Sequence, residues 1–378
     1  MKITSKLPNV GTTIFTVMSK LAQDHQAINL SQGFPNFPVN EELLSIYHGV
    51  LDENSHQYVP MQGFPGLLHQ ITDKVRTHYN RDLQAEKEVL VTAGATQAIF
   101  TTILALVHKG EEVIVLDPSY DCYAPAVELC GAKPVHINMN SDFSVDWQKV
   151  EDVINPKTKM LIVNNPHNPS GTVFKNEDVE AIEQIMEKYP NLLLLSDEVY
   201  EFIFFEAPHI SIHTREKIRE RTIVVSSFGK TFHVTGWKIG YLVTSSTLLD
   251  EIKKVHQFNV FCVNSTAQIA LSRYLSITDL SELSSFYQSK RDLFRNRMKN
   301  SRFELLPCEG SYFQVARYTS ISDKSDIEFA KEMTIKHGVA VIPISGFNQD
   351  GADHQLIRFC FAKDDETIIQ ATEKLCQI

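Results

Sequence analysis

Apolar positions along the chain follow two alternating rhythms. Short runs of apolar and β-branched residues recur at 88–92, 112–117, 133–137, 159–164, 192–196 and 222–226. Between them, at 95–108, 120–130, 147–154 and 176–188, apolar residues return every three to four positions. Runs of the first kind predict buried strands and stretches of the second kind amphipathic helices. Strands that alternate with helices need crossover connections, so the pattern predicts an α/β fold with a mainly parallel sheet covered by helices on both faces. Ahead of this region come a helix over 14–24, the Gly- and Pro-bearing loop INLSQGFPNFPVN, and helical material over 41–79 broken by QYVPMQGFPG. Beyond residue 266 the pattern turns to helices and then to strands near 312–316, 340–343 and 356–361, a compact α+β unit. The expected division is an N-terminal arm and loop, 1–40, joining a smaller domain, 273–378, with a larger domain, 41–272, between them.

In such sheets ligands gather outside the carboxyl ends of the strands, and an unusual set of residues stands there. AGATQ, holding Ala95 and Thr96, is a small-residue turn running into a helix N-terminus, where backbone N–H groups and the helix dipole can cradle an anion. It is neither G-x-G-x-x-G nor G-x-x-x-x-G-K-[ST], so a nicotinamide dinucleotide or P-loop nucleotide is not supported. DPSYDCY places Tyr120 where an aromatic face can cover a flat ring, NNPHNPSG holds Asn168, and SDEVYE holds Asp197 and Tyr200. In VVSSFGKTFHVTGWKIG, Lys230 follows a short buried strand, with Ser227 and Lys238 nearby. A lysine delivered into a crevice can lose its proton and act as an amine nucleophile, the requirement for a Schiff base. Singly, each residue has a plainer explanation: Asp197 as a helix cap, Tyr200 as core, Asn168 as a turn residue, Lys230 as a solvated side chain. Together they match one ligand, a planar phosphorylated pyridine aldehyde, which needs an amine, an anion cradle, a carboxylate for its ring nitrogen, a phenol and amide near its ring oxygen, and an aromatic cover.

Composition narrows the partners. The chain has 378 residues and a formal net charge of −10, with Lys and Arg scattered rather than striped, which argues for small molecules over nucleic acid. Six cysteines lie far apart without a C-x-x-C pair, so neither a disulfide framework nor a zinc site is indicated. His209 and His213 have the i, i+4 spacing of a metal pair but lack the H-E-x-x-H context, and no metal is expected. The segment MKITSKLPNVGTT lacks the apolar core of a signal peptide, and no window has the length of a membrane span, so a cytoplasmic protein is expected.

The motifs NNPHNPSG, SDEVYE and SSFGKTFHVTGWKIG resemble those of the class I/II aminotransferases, pyridoxal-phosphate enzymes of fold type I, and the resemblance runs from SQGFPNFP to LIRFCFAKDD. Within that family the chain is most similar to bacterial methionine aminotransferases and to kynurenine/glutamine aminotransferases. The resemblance implies pyridoxal 5'-phosphate as cofactor, with Lys230 bonded to its aldehyde, Asp197 at the pyridine nitrogen, and Tyr200 and Asn168 beside the ring oxygen. Tyr120 matches the stacking aromatic, and Ala95, Thr96, Ser227 and Lys238 the phosphate site; much of the wider family has Arg where Lys238 stands. Tyr58 matches a tyrosine that reaches the phosphate of the neighbouring subunit, implying a homodimer. Arg358 matches the arginine that clamps the substrate α-carboxylate, a bidentate task suited to guanidinium, and Gly33 lies at the same carboxylate.

The implied reaction moves the amino group of an amino acid to a 2-oxo acid. No second arginine stands in a motif comparable to that around Arg358, while the resemblance places Phe15, Tyr58, Tyr120 and Phe261 around the side-chain pocket. Such walls suit a thioether or an aromatic ring, so methionine is the expected leading donor, with aromatic amino acids including kynurenine, glutamine and leucine behind it and aspartate poor. Alternatives are a kynurenine aminotransferase, or a cysteine-S-conjugate β-lyase using the same chemistry to expel a leaving group. A non-catalytic binding protein on the same fold would be easier to defend if Lys230, Asp197 or Arg358 were replaced; all three are present.

Overall fold

The computed structural model describes residues 3–378. Its centre is a seven-stranded sheet in the spatial order Val89–Thr92, Gly240–Val243, Thr222–Ser227, Leu193–Asp197, Thr158–Asn164, Glu112–Asp117, Lys133–Asn138. Gly240–Val243 runs antiparallel to both its neighbours and the other pairings are parallel. Strand residues alternate between two covered faces. Val113 and Val115 pack with Ile162, Leu195 and Val225 against Ala98, Ile99 and Ile103 of the helix Gly94–Leu106. Ile114 points the other way, with Leu161, Val163 and Leu194, against Val179, Ile182 and Met186 of the helix Asn176–Lys188. Burial on both sides explains why these strands read as continuous apolar runs.

A second, antiparallel sheet of four strands, Ile342–Pro343, Leu356–Cys360, Phe313–Arg317 and Glu304–Leu305, packs with the helices Glu282–Arg297, Asp326–Lys336 and Asp365–Leu375. The N-terminal helix Ile14–Asp24 joins that core through Met18, and Ile28–Asn29 pairs in parallel with Val339–Ala340. Leu30 then accepts from the Cys360 backbone N–H at 2.8 Å, which carries the loop beginning at Ser31 to the mouth of the central sheet.

Two expected elements are corrected. The helix expected over 120–130 begins only at Tyr123 and ends at Leu129, because Tyr120–Cys122 forms a turn closed by the Tyr123 N–H on the Tyr120 carbonyl at 3.2 Å. The strand expected over 340–343 is two short strands, Val339–Ala340 and Ile342–Pro343, which serve different sheets. The strand Gly240–Val243 and the helix Ser246–Asn259 have no counterpart in the expectations. Among the described residues no helix is long and apolar enough to cross a membrane, and no cluster of three or more His, Cys, Asp or Glu could hold a metal. His209 is instead paired with Glu198 at 2.8 Å, both side chains buried.

Candidate active site

The carboxyl ends of the parallel strands and the loop at 31–34 enclose a cavity of about 400 Å³. Its walls include Phe15, Gly33, Ala95, Thr96, Tyr120, Asn168, Asp197, Tyr200, Ser227, Lys230, Lys238 and Arg358, twelve of the fourteen candidates from sequence. The remaining two, Tyr58 and Phe261, do not line it. They meet edge-to-face on the surface with centroids 5.3 Å apart, 79% and 46% exposed.

One end of the cavity is an anion cradle. The helix Gly94–Leu106 starts there without a side-chain N-cap, so its first N–H groups face the cavity. Gly94 has φ +77°, and a Cβ on it would lie 3.2 Å from Lys238 Nζ, so glycine lets the amine settle over the helix start. Gly240 also has to be glycine, since a Cβ would come within 2.8 Å of Ala95 N and of Ser226 O. The helix dipole, Ser227 and the Lys238 ammonium together make a site for a phosphate dianion.

In the middle, Leu193–Asp197 delivers Asp197 at its last position, 4% exposed. Its carboxylate accepts from the Tyr123 phenol at 2.7 Å and the Val199 N–H at 3.3 Å. Burial nevertheless pushes its pKa up to about 6, against those hydrogen bonds and the Lys230 charge. A cation set against this carboxylate would reverse that cost. Asn164 ties the strand end to the loop behind it, donating to the Asp197 carbonyl at 2.8 Å and accepting from the Asn168 N–H at 2.7 Å. Lys230 sits one helical turn beyond Thr222–Ser227, in Phe228–Thr231. It is half-buried by surface area but densely walled, and this desolvation lowers its pKa to about 8. Its Nζ donates to the Gly33 carbonyl at 3.1 Å and lies 5.7 Å and 5.6 Å from the centroids of the Tyr200 and Tyr312 rings.

At the far end Arg358, 1% exposed, projects from Leu356–Cys360. Its guanidinium donates to Asn168 Oδ1 at 2.7 Å and to the Ser31 carbonyl at 2.9 Å, while Nε has no partner. The Phe313 ring stacks under it, 3.8 Å from centroid to Cζ, with Phe347 and Phe15 at 5.1 and 5.4 Å. Burial lowers its pKa to about 10. A buried cation with unused donor capacity asks for an anion, and guanidinium favours a carboxylate.

Sequence reasoning missed Tyr123, which acts through Asp197 from 74 positions away, and Asn164, which acts through backbone. It also missed Asp121, Phe34 and Phe313 in the cavity wall. Asp121 had a usable signal, since it follows Tyr120 in the same strand-end motif.

An anion cradle, a carboxylate whose burial calls for a cation, an amine shifted towards its neutral form, and a guanidinium for a carboxylate define a site fitted to pyridoxal phosphate and an amino acid. The family pattern described as aminotransferase class I and II matches residues 25–375. The chain is 44% identical over 384 residues to the methionine aminotransferase of Escherichia coli (strain K12), covering 99% of this chain and 98% of the relative. It is 32% identical to human kynurenine–oxoglutarate transaminase 3, with coverages of 97% and 88%. Among solved structures, an E. coli protein identified as a methionine aminotransferase aligns with a TM-score of 0.98 at 44% identity, each chain covered in full. N-succinyldiaminopimelate aminotransferase of Mycobacterium tuberculosis aligns at 0.94 and 32% identity, again over both chains in full. The chain belongs to the class I and II aminotransferases: it is a pyridoxal-phosphate-dependent transferase acting on amino acids and 2-oxo acids.

Proposed function

We propose that this aminotransferase takes neutral amino acids with thioether or aromatic side chains, methionine foremost, and passes their amino group to a 2-oxo acid in the cytoplasm. The observation that carries this reading is the make-up of the cavity: among the described residues Arg358 is the one guanidinium in its wall, and Phe15, Phe34, Ile99, Tyr120 and Phe313 supply apolar and aromatic surface. Each buried methylene of a donor contributes about 0.8 kcal/mol there, and sulfur–aromatic contact adds to it. A distal carboxylate would be buried without a counter-ion. The likeness to the E. coli methionine aminotransferase supports the same choice.

In this reading Lys230 would hold the cofactor aldehyde, Asp197 its ring nitrogen, Tyr200 and Asn168 its ring oxygen, Tyr120 its face, and Ala95, Thr96, Ser227 and Lys238 its phosphate. The cofactor, when bound, supplies an electron sink for the pair left on the substrate α-carbon as the proton departs. Tyr123 keeps Asp197 turned towards the ring nitrogen and ionised. Arg358, steadied by Asn168 and the aromatic rings around it, grips the α-carboxylate beside Gly33. Lys230, whose burial brings its amine close to neutral at mildly alkaline pH, would be the group that holds and moves the substrate α-proton, on Nζ.

The reading includes a homodimer whose two jaws are 41–272 and the joined 1–40 and 273–378. Tyr58 and Phe261, outside their own cavity and exposed together, are then available to a partner's site. The test is kcat/KM over a donor panel of methionine, phenylalanine, kynurenine, glutamine, leucine and aspartate. Methionine is expected to lead; aspartate ahead of methionine would contradict the reading.

A further inference from the structure

The charged residues in the cavity wall do not balance once the reading above assigns their partners. Among the described residues three cations, Lys230, Lys238 and Arg358, share the wall with two carboxylates, Asp197 and Asp121. In that reading Lys238 answers the phosphate, Asp197 the ring nitrogen, Arg358 the substrate carboxylate, and Lys230 the aldehyde. Asp121 is left without an assignment.

Its setting is not that of an ordinary surface carboxylate. Asp121 stands in the turn Tyr120–Cys122, directly after the aromatic residue of the wall, because the following helix starts only at Tyr123. Among the described residues the carboxylate makes no ion pair, and the cation whose field reaches it is Arg358. The residue is open to solvent over more than a third of its surface, yet it lies in a concave mouth. Desolvation there raises its pKa, and the field of Arg358, which stands in the same cavity wall, opposes the rise.

We propose that Asp121 is a specificity-determining residue: a negative charge at the solvent-open wall of the substrate cavity, excluding amino acids and 2-oxo acids with a distal carboxylate and admitting neutral or hydrogen-bond-donating side chains. The inference rests on the aminotransferase reading of this cavity and deepens it. Absence of a second cation makes a dicarboxylate unrewarded; a fixed carboxylate makes it repelled, which is discrimination by a built-in unfavourable contact. Because donor and acceptor exchange through one pocket, the rule applies to both, and 2-oxoglutarate is a poorer acceptor than neutral 2-oxo acids of similar size.

Glutamine and glutamate test this, since they share length and shape and differ in charge. The wild-type holoenzyme is expected to favour glutamine over glutamate in kcat/KM, and Asp121→Asn, which keeps shape, to shrink that ratio on the order of tenfold. Asp121→Lys should carry the ratio further towards glutamate, and rising salt should reduce the wild-type ratio because the site opens to solvent. A glutamine-to-glutamate ratio that is the same in wild type and both variants overturns the inference while leaving the aminotransferase reading intact. A correctly folded, cofactor-loaded wild type that transaminates no amino acid overturns the reading and the inference with it.

Discussion

Replacing Asp197 by Asn should stabilise the cofactor-free protein at neutral pH while removing turnover. Asp197 is buried, and burial lifts its pKa from an ordinary 3.8 to about 6. A carboxyl with a raised folded-state pKa binds its proton more tightly in the native state than in the unfolded chain. Stability is therefore lost as pH rises from about 3.8 to about 6, and the full penalty, about 3 kcal/mol, applies above that window. About 1.5 kcal/mol of it develops between pH 5 and pH 8. Asparagine is isosteric and carries no charge: its oxygen can keep the Val199 N–H, and its amide can donate to the Tyr123 phenol, so the hydrogen-bond change is a constant offset. Urea denaturation of both cofactor-free proteins, at equal protomer concentration and at pH 5 and 8, isolates the pH-dependent part. The advantage of Asp197→Asn over wild type should grow by about 1.5 kcal/mol between the two pH values, and added pyridoxal phosphate should stabilise wild type more than the variant. An advantage that is flat with pH, or that shrinks as pH rises, would show that Asp197 is not held protonation-prone by burial.

Glu201→Gln should cost about 3–5 kcal/mol, because it strands the buried Lys74 ammonium, which donates to both carboxylate oxygens at 2.8 Å. Burial alone would raise the Glu201 pKa, but Lys74 with the Ser226 and Tyr79 hydroxyls brings it down to about 2, so its contribution is present above about pH 4.5 and lost as pH falls towards 2; a loss below about 1 kcal/mol in urea melts at pH 7 would refute this. Light scattering should give a dimer mass, and Tyr58→Phe should release cofactor faster on dialysis than wild type; full activity in a stable monomer would refute the shared site.

Much of this architecture was legible because a parallel sheet writes itself plainly. The helices 14–24 and 176–188 were read to the residue, each with a clear start: the Thr13 hydroxyl accepts from Thr16 N at 3.3 Å, and Asp178 accepts from the Lys175 N–H at 2.9 Å. Gly240–Val243 escaped because it is short and begins on the last residue of a motif read for its chemistry. The strand-end rule found Asp197, Asn168 and Lys230, whose side chains enter the cavity themselves. Tyr123 and Asn164 also reach the cavity wall, but their hydrogen bonds are to Asp197 and to the loop behind it, and periodicity says nothing about such contacts. Tyr58 and Phe261 came from resemblance, and in one chain they form a surface pair outside the cavity.

The most direct test of the account is where the cofactor is bonded. Among the described residues two lysines, Lys230 and Lys238, line the cavity; the aldehyde is expected on the first and the phosphate at the second. Borohydride reduction of the purified yellow protein followed by peptide mapping should place one pyridoxyl group per chain on Lys230, and Lys230→Ala should retain no reducible adduct. A pyridoxyl group on Lys238, or on any other lysine of the wild-type protein, would contradict it.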